Sequence, residues 1–286
     1  MNKNYGFFSN QQIKDFIAKS GPLLALIILC IILSIASPVF LTTENLMNIT
    51  RKASCYGLLA LGMLVAILTA GIDLSVGASM ALTSILMAKF SVVYGGNQYL
   101  GIIVCLGSGA LLGLINGLLL TKLNLPHPFI STLGTQNIYR GLCLIITAAT
   151  PISGMPPAIR WPGQAKLFNS PLPISIVIVI IAYVIFSIFL NNTVLGRNIY
   201  AVGGNPATAR LSGVNVKFTL NMVYTISGFM CGFAGLLLAG RVDAVYPLAG
   251  LSWETDAIAA VIIGGASFFG GKGNVLGTFC GVMIIA

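Results

Sequence analysis

Long apolar runs alternate with short polar links along almost the whole chain. Residues 22–40, 55–90, 99–121, 129–149, 172–190 and 219–239 are apolar nearly throughout, and a last such run starts at 274. A helix needs about 20 apolar residues to cross a hydrocarbon core, so these runs read as membrane spans. The pattern predicts an all-α polytopic membrane protein, with residues 1–286 as a single transmembrane domain. Two places break it. The first is Ala70-Gly71-Ile72-Asp73-Leu74-Ser75-Val76-Gly77, inside the second run. A chain break is expected at Gly71, with Asp73 capping a new helix through its carboxylate. The second follows Trp253-Glu254-Thr255-Asp256, where the apolar stretch 257–265 is too short to span and ends on Gly264-Gly265, ahead of a glycine-rich turn at 267–273. A half-helix or re-entrant element fits there, which membranes tolerate only where protein or a cavity surrounds it.

The longest polar interruption lies at 190–218. It carries Arg197, Arg210 and Lys217 and no acidic residue. Asn205-Pro206 is a helix-start signal, because Asn caps free amides and Pro at the first helical position loses no hydrogen bond. The sequence 207–212 gives about a turn and a half, and Gly213 ends it in the left-handed region. The expectation is a short basic helix between two spans. It reads either as a docking surface or as a solvated loop whose charges only fix topology.

Composition sharpens the class. Of 286 residues, 57% are hydrophobic and only 7% charged, against about a quarter charged in soluble domains. The net charge of +9 does not imply nucleic acid, because the basic residues sit at the ends of apolar runs, where positive charge favours the cytoplasmic side. On that rule residues 1–20, with Lys3, Lys14 and Lys19, are cytoplasmic, and part of them is read as a surface helix. Residues 122–126 and 191–217 are cytoplasmic too, and 150–171, with Trp161 as an interfacial anchor, lie outside. The pair Arg51-Lys52, in a polar link read at 41–54, runs against the rule. The full length of the first span argues for a retained anchor rather than a cleaved signal. The six cysteines lie in or beside apolar runs without metal-type spacing and read as small hydrophobes.

Gly107, Gly109, Gly113 and Gly117 line one span and predict close approach of a neighbouring helix. Gln136, Asn137 and Arg140, within another, are expected to face the bundle interior or a wet cavity. Asp73 reads first as a structural cap and second as a solute contact. Both halves show, in the same order, an acid-containing break, a glycine-rich turn and a glycine-rich span, a weak internal repeat of the kind on which many transporters are built. Catalytic patterns are missing. Gly270-Gly271-Lys272-Gly273-Asn274 lacks the hydroxyl residue of a nucleotide loop, and there is no HExxH, GxSxG or cysteine pair. Lone His127, between two prolines, has no second ligand or carboxylate near it in sequence. The chain reads as a transporter component, not an enzyme.

Three stretches together carry a family resemblance: TAGIDLSVGA (69–78), LGRNIYAVGGNPATARLSGVNV (195–216) and ETDAIAAVIIGGASFFGGKGNVLGTFCG (254–281). They resemble the permease subunits of bacterial binding-protein-dependent ABC sugar importers, in the ribose, xylose and galactoside group. The resemblance implies an inner-membrane protein of about ten helices that pairs with a second permease copy or paralogue among membrane lipid. It implies two cytoplasmic ATP-binding subunits, which hold ATP and Mg²⁺, and an extracytoplasmic sugar-binding protein; no cofactor is implied in this chain. By position, Arg197, Asn205, Pro206, Arg210 and Gly213 belong to the loop that couples to the ATPase. Gly71, Asp73, Ser75 and Gly77, and Thr255, Asp256, Gly264 and Gly265, belong to broken helices beside the translocation path. Such permeases continue for another helix or so past Ala286, so the final helix is expected to be missing here. The other function class left by the residues is a secondary transporter or facilitator that uses no ATPase, with Asp73, Asp243, Glu254 and Asp256 as its carboxylates.

Overall fold

The computed structural model describes residues 10–168 and 170–286, with side chains from Ser20 onward. Among them are twelve α-helices and a two-stranded scrap of sheet. Five helical segments are long and apolar enough to cross a membrane: α2 (Thr43–Leu68), α3 (Val76–Ala88) with the π-helical turn Lys89–Val93 that extends it, α4 (Gln98–Lys122), α7 (Ile174–Asn192) and α10 (Val216–Val242). α1 (Asn10–Ala36), α5 (Pro128–Thr147) and α12 (Val275–Ile285) complete the apolar bundle. The shorter helices are α6 (Pro157–Gln164), α8 (Val194–Gly204), α9 (Pro206–Leu211) and α11 (Trp253–Ile263).

α2 is the axis of the molecule, buried on every side from Ala53 to Leu68. Its neighbours carry the lipid-type exposure instead. Ile28 and Ile35 on α1, Ile103 on α4, Ile145 on α5 and Ile185 on α7 all turn outward, as expected where no water penalises an exposed apolar face. α4 and α10 make the closest long contact. A Cβ on Gly109 would strike the Gly228 carbonyl, one on Gly113 the Tyr224 carbonyl, and one on Gly117 would lie 2.9 Å from Asn221 Cα. Gly107 is not part of this seam; nothing lies within 4 Å of its would-be Cβ.

Several element boundaries differ from the sequence reading. α1 runs unbroken from Asn10 through Pro22, so residues 10–19 continue the first apolar helix; residues 1–9, part of the segment read as surface helix, lie outside the described residues. The polar link read at 41–54 is largely the first turns of α2, which Thr42 caps by accepting from Asn45 N at 3.4 Å. Glu44 then meets the positive end of the helix dipole, and polarity there marks a helix projecting past its apolar stretch. The loop at 150–171 holds α6, whose Gly163 packs on the backbone of Gly240 and Arg241. Asp243 pins that loop: its carbonyl accepts from Gly154 N at 3.1 Å and its carboxylate from Met155 N at 2.8 Å. There β1 (Ile152–Ser153) pairs antiparallel with β2 (Ala244–Val245).

These contacts sort the molecule into two ends. Lys217 Nζ donates to Asn124 Oδ1 at 3.3 Å, so the 122–126 and 191–217 segments share one end. The other end carries α6, β1, β2 and the start of α4, where Gln98 Oε1 accepts from Ala158 N at 2.9 Å. The six cysteines are free and all but Cys30 are buried.

Candidate functional site

At the first end α8 and α9 meet at a single residue. Asn205 closes α8 and opens α9, its Oδ1 accepting from Ala207 N at 2.9 Å and Thr208 N at 3.0 Å. Pro206 takes the first helical position, where a missing amide costs nothing. Gly213 stands at φ +85° and turns the chain away, a conformation open to glycine at no steric cost. Underneath, Ala209 packs with Val202 and Val216 in a small apolar cluster of its own. That cluster seats the helix and leaves Pro206, Ala207, Thr208 and Arg210 exposed. Arg197, on α8, is exposed as well. Beside Arg210 stands Leu211, 90% exposed, which sequence reasoning did not single out. Its signal was an apolar residue at the last position of a helix too short to bury two faces.

The first break lies between α2 and α3. α2 ends on Ala70 in the left-handed conformation, φ +58°, not on Gly71. Gly71 is needed for closeness, since a Cβ there would lie 2.6 Å from Tyr224 Oη. Asp73 does not cap α3 in the expected way. Its Oδ1 accepts from Ser75 N at 3.1 Å and Ser75 Oγ at 2.7 Å, and its Oδ2 accepts from Ser227 Oγ on α10 at 2.7 Å. Ser75 Oγ in turn accepts from Asn116 Nδ2 on α4 at 2.8 Å and from Ser79 Oγ at 3.3 Å. One carboxylate thus ties three helices together, at 1% exposure. Gly71, Ser75 and Gly77 are buried with it.

The second region begins after α10. Residues 246–252, between β2 and α11, fold back into the bundle. Arg140 on α5 reaches them, its Nη1 donating to the Pro247 and Ala249 carbonyls, each at 2.8 Å. One helical turn earlier on α5, Gln136 Nε2 donates to Glu254 Oε1 at 2.9 Å. Asn137, between them, is exposed and bonds only to its own helix at Leu133 O. Glu254 and Asp256 occupy the first turn of α11, where the dipole favours negative charge. The starts of α3 and α11 meet: Gly77 lies against the Gly250 carbonyl, and a Cβ on it would fall 2.9 Å from Glu254 Oε2. α11 is the half-helix that the short apolar run predicted. It leaves on Gly264 and Gly265, the latter at φ +90°, and α12 crosses it where Gly264 meets Gly277. Thr255 lies on the open side of α11, in a groove of about 260 Å³ lined further by Ile258, Ala259, Ile262, Ile263 and Phe268.

The candidate residues therefore separate into three groups. Arg197, Asn205, Pro206, Arg210 and Gly213 come together at one exposed end. Gly71, Asp73, Ser75 and Gly77 lie in the core. Thr255, Asp256, Gly264 and Gly265 belong to a half-helix at the edge of the bundle. His127 immediately precedes α5 and makes no capping bond. No group of three potential metal ligands exists among the described residues.

Residues 45–286 match the family described as the permease component of a branched-chain amino acid transport system. The chain is 43% identical over 267 residues to the ribose import permease protein RbsC of Bacillus subtilis, covering 93% of this chain and 82% of that one. It is 42% identical over 265 residues to the D-allose transport system permease protein AlsC of Escherichia coli, covering 91% and 78%. With the galactose/methyl galactoside import permease protein MglC of Escherichia coli the identity is 35% over 285 residues, covering 94% and 84%. No solved structure matches.

Proposed function

The chain belongs to this permease-component family, and on that premise we propose that it forms the sugar pathway of an ATP-driven importer. It is a membrane subunit without catalytic chemistry of its own. Its cargo is a monosaccharide, a ribose-like pentose or a related sugar, since the relatives named above are permeases for ribose, allose and galactosides. The family's description names amino acids, but the relatives matched across nearly the whole chain are sugar permeases, and we follow those.

Two cytoplasmic ATP-binding subunits hold ATP and Mg²⁺. A second permease copy or paralogue and an extracytoplasmic sugar-binding protein complete the importer in the bacterial inner membrane. The 191–217 end faces the cytoplasm, together with residues 1–20, and the α6 end faces outward. Residues 1–286 form one transmembrane domain within a plan of about ten spans. The open groove of α11 borders the pathway beside the second copy, with Thr255, Asp256, Gly264 and Gly265 along it. The buried group Gly71, Asp73, Ser75 and Gly77 shapes the pathway wall from behind.

One observation carries the coupling role. α9 rests on its own small apolar seat and offers Arg210 and Leu211 outward. Arginine is among the side chains enriched where protein contacts concentrate their energy, and Leu211 adds exposed apolar area beside it.

The test is co-purification of the ATP-binding subunits in detergent. Arg210→Glu reverses the charge at the contact and is expected to lose them, with expression and membrane insertion unchanged. If Arg210→Glu retains them as the parent does, the loop is only a topological tether.

A further inference from the structure

The glycine-rich loop between α11 and α12 is held in a corner made by α8 and the end of α2. Gly271 N donates to Leu68 O at 2.9 Å, satisfying one of the carbonyls that the end of a helix leaves without a partner. Tyr200 of α8 donates its hydroxyl to Gly273 O at 2.9 Å. Gly203, one turn further along α8, has no room for a side chain: a Cβ there would run into Leu68 O and lie 2.7 Å from Gly271 N. One on Gly270 would lie 2.7 Å from Gly203 O and 2.8 Å from Ala70 N. Four backbone segments thus touch at one point: α8, the end of α2, the first break and the second.

Side-chain anchorage is thin on the loop itself. Phe268 and Phe269 point outward, the latter 90% exposed. Tyr200 provides the one side-chain hydrogen bond from another element to the loop among the described residues. α8 passes directly into α9 through Asn205, with no linker between, so a displacement of α9 moves α8 with it.

We infer that Tyr200 is a positioning residue that ties the second break to α8, so that movement of α9 against the ATPase is passed to α11. The inference rests on the reading of α9 as the docking helix. Tyr200 contacts no sugar in this role; it acts through Gly273 on the half-helix that borders the pathway.

The experiment uses the complete importer in proteoliposomes and reads sugar taken up per ATP hydrolysed. Tyr200→Phe keeps the ring and removes only the hydroxyl. The ratio is expected to fall about fivefold, the population shift that one lost hydrogen bond supports, with the ATP-binding subunits still co-purifying. A merely structural defect lowers uptake and hydrolysis in step and leaves the ratio unchanged, and that result overturns the assignment. Loss of the ATP-binding subunits from Tyr200→Phe overturns it too, since the bond would then serve docking itself. Failure of the docking reading shows separately, in Arg210→Glu retaining those subunits.

Discussion

The two helix breaks solve the same problem with different materials. The first, between α2 and α3, is fastened by side chains: Asp73 collects Ser75 and Ser227, and Ser75 collects Asn116 and Ser79. The second, between α11 and α12, is fastened by backbone. Gly270, Gly271 and Gly273 take positive φ so that bare amides and carbonyls reach Leu68, Gly203 and Tyr200. A buried carboxylate with several partners fixes a single geometry, because any rearrangement strands charged or polar atoms away from water. The loop at 267–273 that makes these backbone contacts is itself partly or fully exposed, so water can replace a broken bond there at small cost. On these contacts the first break is expected to behave as a fixed joint and the second as a working one.

Removing Asp73 is the severest way to attack this distinction. Asp73→Ala leaves the buried hydroxyls of Ser75 and Ser227 without their acceptor, at a cost of about 3 kcal/mol. The permease should unfold well below the parent in a detergent thermal melt. Ser227→Ala removes a single donor and should cost about 1–2 kcal/mol, midway on the same melt. A flat response to both would mean that the network contributes nothing to the joint.

At the second break the equivalent single change is mild. Asn274 caps α12 by accepting from Gly277 N at 2.6 Å, and Asn274→Ala should cost about 1 kcal/mol. Its melt should stay close to that of the parent while transport falls. Should Asn274→Ala destabilise as much as Asp73→Ala, the two breaks are equally rigid and the distinction fails.

Sequence patterns carried the coarse architecture and the short capped helix α9, because both depend on local chemistry. Asn205, Pro206 and Gly213 act within one turn of themselves, so their roles can be read from spacing. The partners of Asp73 could not be read in that way. Ser227 and Asn116 lie 154 and 41 residues from the positions they bond, and a serine within an apolar run gives no sign of facing a carboxylate. The fold-back of 246–252 was hidden for the same reason: what holds it is Arg140, more than 100 residues earlier. Ala70 in the left-handed region was obscured by Gly71, the more permissive neighbour, whose actual task is to let Tyr224 approach. Glycine, the acidic residues and run length did locate both breaks, yet they gave no hint that one is fastened by side chains and the other by glycine backbone.

Hydrogen exchange of the complete importer, with and without a non-hydrolysable ATP analogue, tests the distinction between a fixed and a working joint most directly. Peptides covering 264–274 should change their protection when the analogue binds, while those covering 70–76 stay protected throughout. Equal change in both segments, or change in 70–76 alone, would contradict it.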